Sequence, residues 1–142
     1  MKLLLLYLLI VIAASCKSQS LNVPLKITPL TVMNEIDTLV DRNRTSVNLI
    51  ENFLVDGCIS DTNKLYREID NFVEKNKNKR LAMFSVYYME FFKASARISV
   101  EAVNKNPDLI TKSLLIADPR IVTYLWYNGK FGGKIMNRLT YK

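Results

Sequence analysis

A single lysine, Lys2, precedes an unbroken apolar run from Leu3 to Ala14, and the run stops abruptly at the polar stretch Ser15 to Ser20. A short positive start followed by about 7–15 apolar residues has the form of an export signal. It is too short to span a membrane, which takes about 20 apolar residues. Removing it leaves residues 16–142 to fold, enough for one domain with a real core.

The run ends in Ala13-Ala14-Ser15-Cys16, small residues immediately before a cysteine. This segment resembles the lipobox of bacterial lipoproteins, a resemblance confined to the signal region. It implies cleavage between Ser15 and Cys16, a diacylglyceryl thioether on Cys16 and a fatty acyl chain such as palmitate on the new amino group. Ala13 stands where leucine is commoner, and Ala13-Ala14-Ser15 also satisfies an ordinary signal peptidase. Each buried CH₂ contributes about 0.8 kcal/mol, so two or three chains hold a protein on a membrane where one barely does. Lys17 in place of an aspartate after the cysteine permits sorting to the outer membrane. The expected address is therefore the outer membrane, facing the periplasm. The expected plan is a signal peptide at 1–15, a tether and lead-in at 16–30, and a single α+β domain at 31–142.

The chain carries 20 Lys and Arg against 13 Asp and Glu, a net charge of +7, of which the signal removes only Lys2. That balance favours acidic neighbours such as anionic lipid or a polyanionic envelope polymer. The bases are scattered among asparagines rather than lined up, which suits a solvated surface, and an exported domain rarely meets nucleic acid. Only Cys16 and Cys58 are present. With Cys16 lipidated, Cys58 is left unpaired as a small buried residue. In the rival reading the two form a disulfide in a secreted ligand, and the sequon Asn43-Arg44-Thr45 becomes a glycosylation candidate.

Leu21, Val23, Leu25 and Ile27 alternate as in a strand, but Pro24 and Pro29 demote the segment to an edge strand or linker. Val32, Ile36, Leu39 and Val40, and then Val47, Ile50, Phe53 and Leu54, follow helical spacing, with Thr31 as a cap and Gly57 as a stop. Ser60 or Asp61 caps a second helix with the stripe Leu65, Ile69, Phe72, Val73 and a basic end at Lys75, Lys77, Lys79 and Arg80. The aromatic load of Leu81 to Phe92 favours a strand. A short helix over Ser99 to Asn104 ends at Asn106-Pro107. Ile121 to Tyr127, the turn signal Asn128-Gly129 and a return strand marked by Ile135, Leu139 and Tyr141 read as a hairpin. The expected fold is two or three helices packed on one face of a small antiparallel sheet that ends in a C-terminal hairpin.

The chain has no histidine, which excludes Ser-His-Asp and Cys-His catalysis and the usual His-containing zinc sites. No Gly-x-Ser-x-Gly or Ser-x-x-Lys occurs either. Glu90, set between Met89 and Phe91, is the acid of greatest interest for a carboxylate-dependent hydrolase, against the plainer role of facing solvent or pairing with an arginine. Gly129 to Lys134 lacks the full spacing of a phosphate loop and is followed by strand-like sequence. The same region offers Tyr124, Trp126, Lys130, Phe131 and Lys134 as a possible binding face of aromatics beside cations, with core packing the default for Trp126. The expectation is a non-enzymatic envelope lipoprotein that binds a protein or an anionic envelope component and takes no cofactor or metal. A secreted carboxylate hydrolase and a disulfide-containing ligand are the alternatives.

Overall fold

Asp61 starts the longest helix. Its side chain accepts hydrogen bonds from the backbone N–H groups of Asn63 and Lys64 at 2.9 and 3.2 Å, which satisfies donors that the first turn leaves without partners. The helix, α1, spans Thr62–Asn76. Leu65, Ile69 and Val73 recur every four residues, so they share one side and are buried. Each contributes about 1.5–3 kcal/mol by leaving water. The structure is a computed structural model and describes residues 25–41, 44–57, 61–77, 81, 83–110 and 119–137. The signal run with Ser15 and Cys16, the alternating Leu21 and Val23, Asn43, Cys58, Ser60, Lys79, Arg80, Leu139 and Tyr141 lie outside the described residues.

Six strands form one sheet: β1 (Lys26–Pro29), β2 (Glu35–Asp41), β3 (Arg44–Asp56), β4 (Val86–Lys93), β5 (Arg120–Tyr127) and β6 (Lys130–Met136). Their order is β1, β3, β4, β5, β6, with β2 also on β3. β1 pairs with Phe53 to Asp56 and β2 with Arg44 to Ile50, so the two lie in line along one edge of β3. β3 and β4 run parallel, whereas every other pair is antiparallel. The sheet is therefore mixed, not antiparallel as expected, because a helical crossover through α1 returns β4 in the direction of β3.

Residues 31–54 are also corrected. The described residues there form a short 3-10 turn, Thr31–Met33, and two strands instead of a helix. The helical spacing of Val47, Ile50, Phe53 and Leu54 arose because β3 is apolar on both faces, a pattern in which strand and helix periods are indistinguishable. The β-branched Ile36, Thr38, Val40, Thr45, Val47, Ile50 and Val55 favour the extended form. Buried Asn52 closes the break between β1 and β2. Its N–H donates to Asn34 Oδ1 at 3.0 Å and its Nδ2 to the Met33 carbonyl at 2.6 Å, while its own carbonyl accepts from Leu30 N–H at 2.7 Å.

Helices cover both faces, a further departure from the one-sided arrangement. On one face Leu65, Ile69 and Val73 pack with Leu49, Phe53 and Val55 of β3, Tyr87, Met89 and Phe91 of β4, and Val122, Tyr124 and Trp126 of β5. Phe53 stacks on Phe91 at 5.1 Å, and Phe72 meets both edge-on. On the other face, Val103 of a short helix, α2 (Val100–Lys105), packs with Leu30, Leu54, Phe92 and Ile98. Ser99 caps α2, accepting the N–H of Ala102 at 3.1 Å. Among the described residues no helix is long and apolar enough to cross a membrane.

Candidate functional site

β5 and β6 meet at Asn128-Gly129, where both residues have positive φ, 47° and 76°. That is the backbone a two-residue turn of matching twist requires, and asparagine and glycine adopt it at little cost. The register then slips between Leu125 and Trp126, leaving Gly132 as an extra residue in β6. A β-carbon on Gly132 would lie 2.7 Å from the ring of Tyr127. Gly129 to Lys134, whose spacing already argued against a phosphate loop, are thus part of a turn and a bulged strand.

The five residues of the expected binding face are divided by this geometry. Tyr124 and Trp126 point beneath α1 and are only 4% and 3% exposed. Trp126 stacks on Tyr87 at 5.2 Å, and Phe131 packs edge-on against it from β6. Lys134 reaches inward as well. Its Nζ lies 2.6 Å from Asp70 Oδ1 and over the rings of Tyr124 and Tyr66, at 5.1 and 5.4 Å. The Tyr124 hydroxyl donates to the same carboxylate oxygen. Burial pushes the Tyr124 hydroxyl far above its ordinary range, reinforced by its hydrogen bond to Asp70 and that carboxylate's charge. This cluster clasps α1 to β5 and β6. Of the five residues, Lys130 and Phe131 remain exposed.

Glu90 lies on the opposite face, where Arg120 Nη1 is 3.7 Å from its Oε1 and the Thr123 hydroxyl is 3.5 Å away. Its environment is the arginine pairing weighed against catalysis. Glu51 accepts a 2.5 Å hydrogen bond from buried Tyr87. Among the described residues, no three of His, Cys, Asp and Glu converge as metal ligands do. Tyr88, beside Tyr127 on the same face as Glu90, has its hydroxyl pushed upward by burial and then by Tyr127.

Exposed apolar surface collects elsewhere. Ile36, Leu39 and Val40 on β2 are 67%, 54% and 75% exposed, and Phe131, Ile135 and Met136 on β6 are 61%, 59% and 59% exposed. Both strands lie at ends of the sheet, β2 in line with β1 on one edge and β6 on the other. Thr38 to Asp41 of β2 and Arg44 to Val47 of β3 also extend beyond the β4 ladder, since β4 pairing begins only at Asn48. Sequence reading missed β2 as a surface because it placed Ile36, Leu39 and Val40 on a helical core stripe. Comparison with protein-family models, curated proteins and solved structures finds no match. Among the described residues, β2 and β6 each have one edge with no strand beside it and expose apolar side chains, the features of an edge open to pairing.

A shallow cleft of about 480 Å³ lies between Phe84, Ser85, Asn128 and Gly129 at the β5–β6 turn. Another, about 370 Å³, lies at the opposite end between Lys26, Asp56, Ser95 and Glu101. Neither gathers the aromatic and polar lining of a ligand pocket.

Proposed function

We propose that this protein is a non-enzymatic lipoprotein of the bacterial cell envelope, anchored through Cys16 after cleavage between Ser15 and Cys16, whose domain works by contact at its sheet edges. The outer membrane, facing the periplasm, is its proposed location, and a protein or anionic envelope component its proposed class of partner. The supporting observation is the placement of the two ends of β3. Leu25 lies against Gly57, with Cδ2 3.1 Å from where a β-carbon on that glycine would sit. The chain therefore arrives at the Asp56 end, while the β2–β3 ribbon turns at the opposite end, after Asp41. Thirteen residues of β3 separate them, about 40 Å at strand rise. The segment Lys17 to Pro24 reaches at most about 28 Å when extended. An anchor on Cys16 would thus keep the β1 end within about 28 Å of the lipid and leave the far end of the ribbon, about 40 Å along β3, free to reach beyond it.

Labelled fatty-acid incorporation into wild type and Cys16→Ser, followed by membrane fractionation, tests the anchor. Label and membrane association are expected in wild type and lost in the variant. Equal labelling of both would remove the anchor from this reading.

A further inference from the structure

We infer that the partner of the β2 edge is a second copy of this chain, seated with the outer edge of its β6 antiparallel to β2. The inference rests on the reading of the sheet edges as contact surfaces and names their occupant. Two terminal strands with bare edges are ordinarily protected by charge, kinks or bulges. Both strands carry some of that protection, acids on β2 and lysine with the Gly132 bulge on β6, yet each also exposes three large apolar side chains, Ile36, Leu39 and Val40 on one and Phe131, Ile135 and Met136 on the other.

Their charges are complementary. β2 carries Glu35, Asp37 and Asp41 and no base, whereas β6 carries no acid and exposes Lys130, its Lys134 being already paired with Asp70. Antiparallel pairing of β2 with another β2, centred on Thr38, would set Glu35 opposite Asp41 with nothing to offset the repulsion. Pairing β6 with β6 would leave the exposed Lys130 of each copy without an acid to meet it. Mixed pairing places acid strand on basic strand.

The apolar spacing agrees as well. Ile36 pairs with Leu49 and Phe131 with Trp126, so both lie on the α1 face, as do Val40 and Met136. Ile36 and Val40 are four residues apart. Phe131 and Met136 are five apart, but bulged Gly132 takes no partner and brings the separation back to four pairing steps. One register then sets Met136 opposite Ile36, Phe131 opposite Val40 and Lys130 opposite Asp41. On the other face it sets Leu39 opposite Gly133, whose β-carbon position has nothing within 4 Å. A large side chain covering an edge glycine is a recurrent way to stabilise such pairs. The contact is heterologous, leaving one β2 and one β6 edge free to add further copies.

The test uses the full chain in its own membranes, in a Cys58→Ser background. Chains bearing Val40→Cys and Phe131→Cys are expected to form disulfide-linked dimers when co-expressed, and longer multimers when one chain carries both. Neither single variant should link to itself. Asp41→Lys or Lys130→Glu should each cut linking about fivefold, and the two in one chain should restore it. The detergent-extracted wild type, sedimented at low and high salt, guards against misfolded variants: multimers that dissociate with salt are expected. Wild type that is monomeric throughout, or Val40→Cys linking to itself as well as to Phe131→Cys, overturns the inference. Linking of Val40→Cys to a different protein overturns the second copy but leaves the contact reading in place. No linking at either edge removes both.

Discussion

Asn52 to Val55 and Arg44 to Val47 belong to one strand, β3, yet their surroundings are opposite. The first stretch is flanked by β1 and β4 and roofed on both faces, by α1 over Phe53 and Val55 and by the α2 region over Leu54. The second has β2 along one side and, on the other, a bond from the Ser85 N–H to the Val47 carbonyl at 2.8 Å, and both Arg44 and Thr45 are exposed. The contrast thus lies in both pairing and burial, with a strand on each side of the first stretch and a single full ladder beside the second. A two-stranded ribbon is at best marginally stable alone, and the β2 end is held by the anchored half of β3. Buried and exposed backbone are thereby separated along one strand, and substitutions at its two ends should have unlike consequences.

The buried half should yield the largest effect. Phe91 is fully buried, stacked on Phe53 and met edge-on by Phe72 and Tyr124. Phe91→Ala is expected to cost about 3–5 kcal/mol, read as a lowered midpoint in chemical denaturation. A cost comparable to that of an exposed ribbon position would break the comparison. Asn52→Ala comes next. It leaves the Met33 carbonyl without its 2.6 Å donor, an expected loss of about 1–3 kcal/mol. Amide exchange should quicken first in β2, because the link that aligns it with β1 is gone.

Alkali gives a subtler separation. The Tyr124 hydroxyl, buried and bonded to Asp70, has its folded-state pKa raised above its unfolded value. Its contribution to stability is therefore complete below about pH 10, the free tyrosine value, and declines as pH climbs above it. In a spectrophotometric titration Tyr124 should remain protonated after exposed tyrosines have ionised. Tyr124→Phe should remove the latest-titrating step and flatten the alkaline loss of stability. A titration in which all tyrosines ionise together would show that the Asp70 clasp opens readily.

The same contrast explains what the sequence disclosed. α1 was legible because it has one wet side: Leu65, Ile69 and Val73 recur at helical spacing, polar residues fill the rest, and Asp61 stands at the cap. β4 was legible from its aromatics. β2 and β3 were not. β3 is apolar on both faces, so it shows no alternation of two, and β2 has apolar residues on both faces because both are exposed. The parallel pairing of β3 with β4 depends on a crossover that no local pattern encodes. At the candidate binding face, Tyr124 and Trp126 share a side as strand alternation requires, but only the position of α1 decides that the side is buried. The opposed charges of β2 and β6 were written in the sequence, and became meaningful only once both strands proved to be ends of one sheet.

The smallest effect on stability should come from the ribbon, where it is most informative. Val40 and Ile36 are 75% and 67% exposed, so Ile36→Ser with Val40→Ser removes little buried area and should shift the free energy of unfolding by about 0.5 kcal/mol or less. Both replacements keep the backbone pairing of residue 36 with Leu49 and of residue 40 with Thr45, and serine's lower strand propensity is the main cost. Association should respond differently, since these side chains supply the apolar half of the proposed contact on the α1 face. The expected result is an unchanged denaturation midpoint together with loss of multimers in sedimentation. A loss of stability as large as that of Asn52→Ala would mean that Ile36 and Val40 are already covered within the molecule, and the two halves of β3 would then differ much less than their exposure indicates.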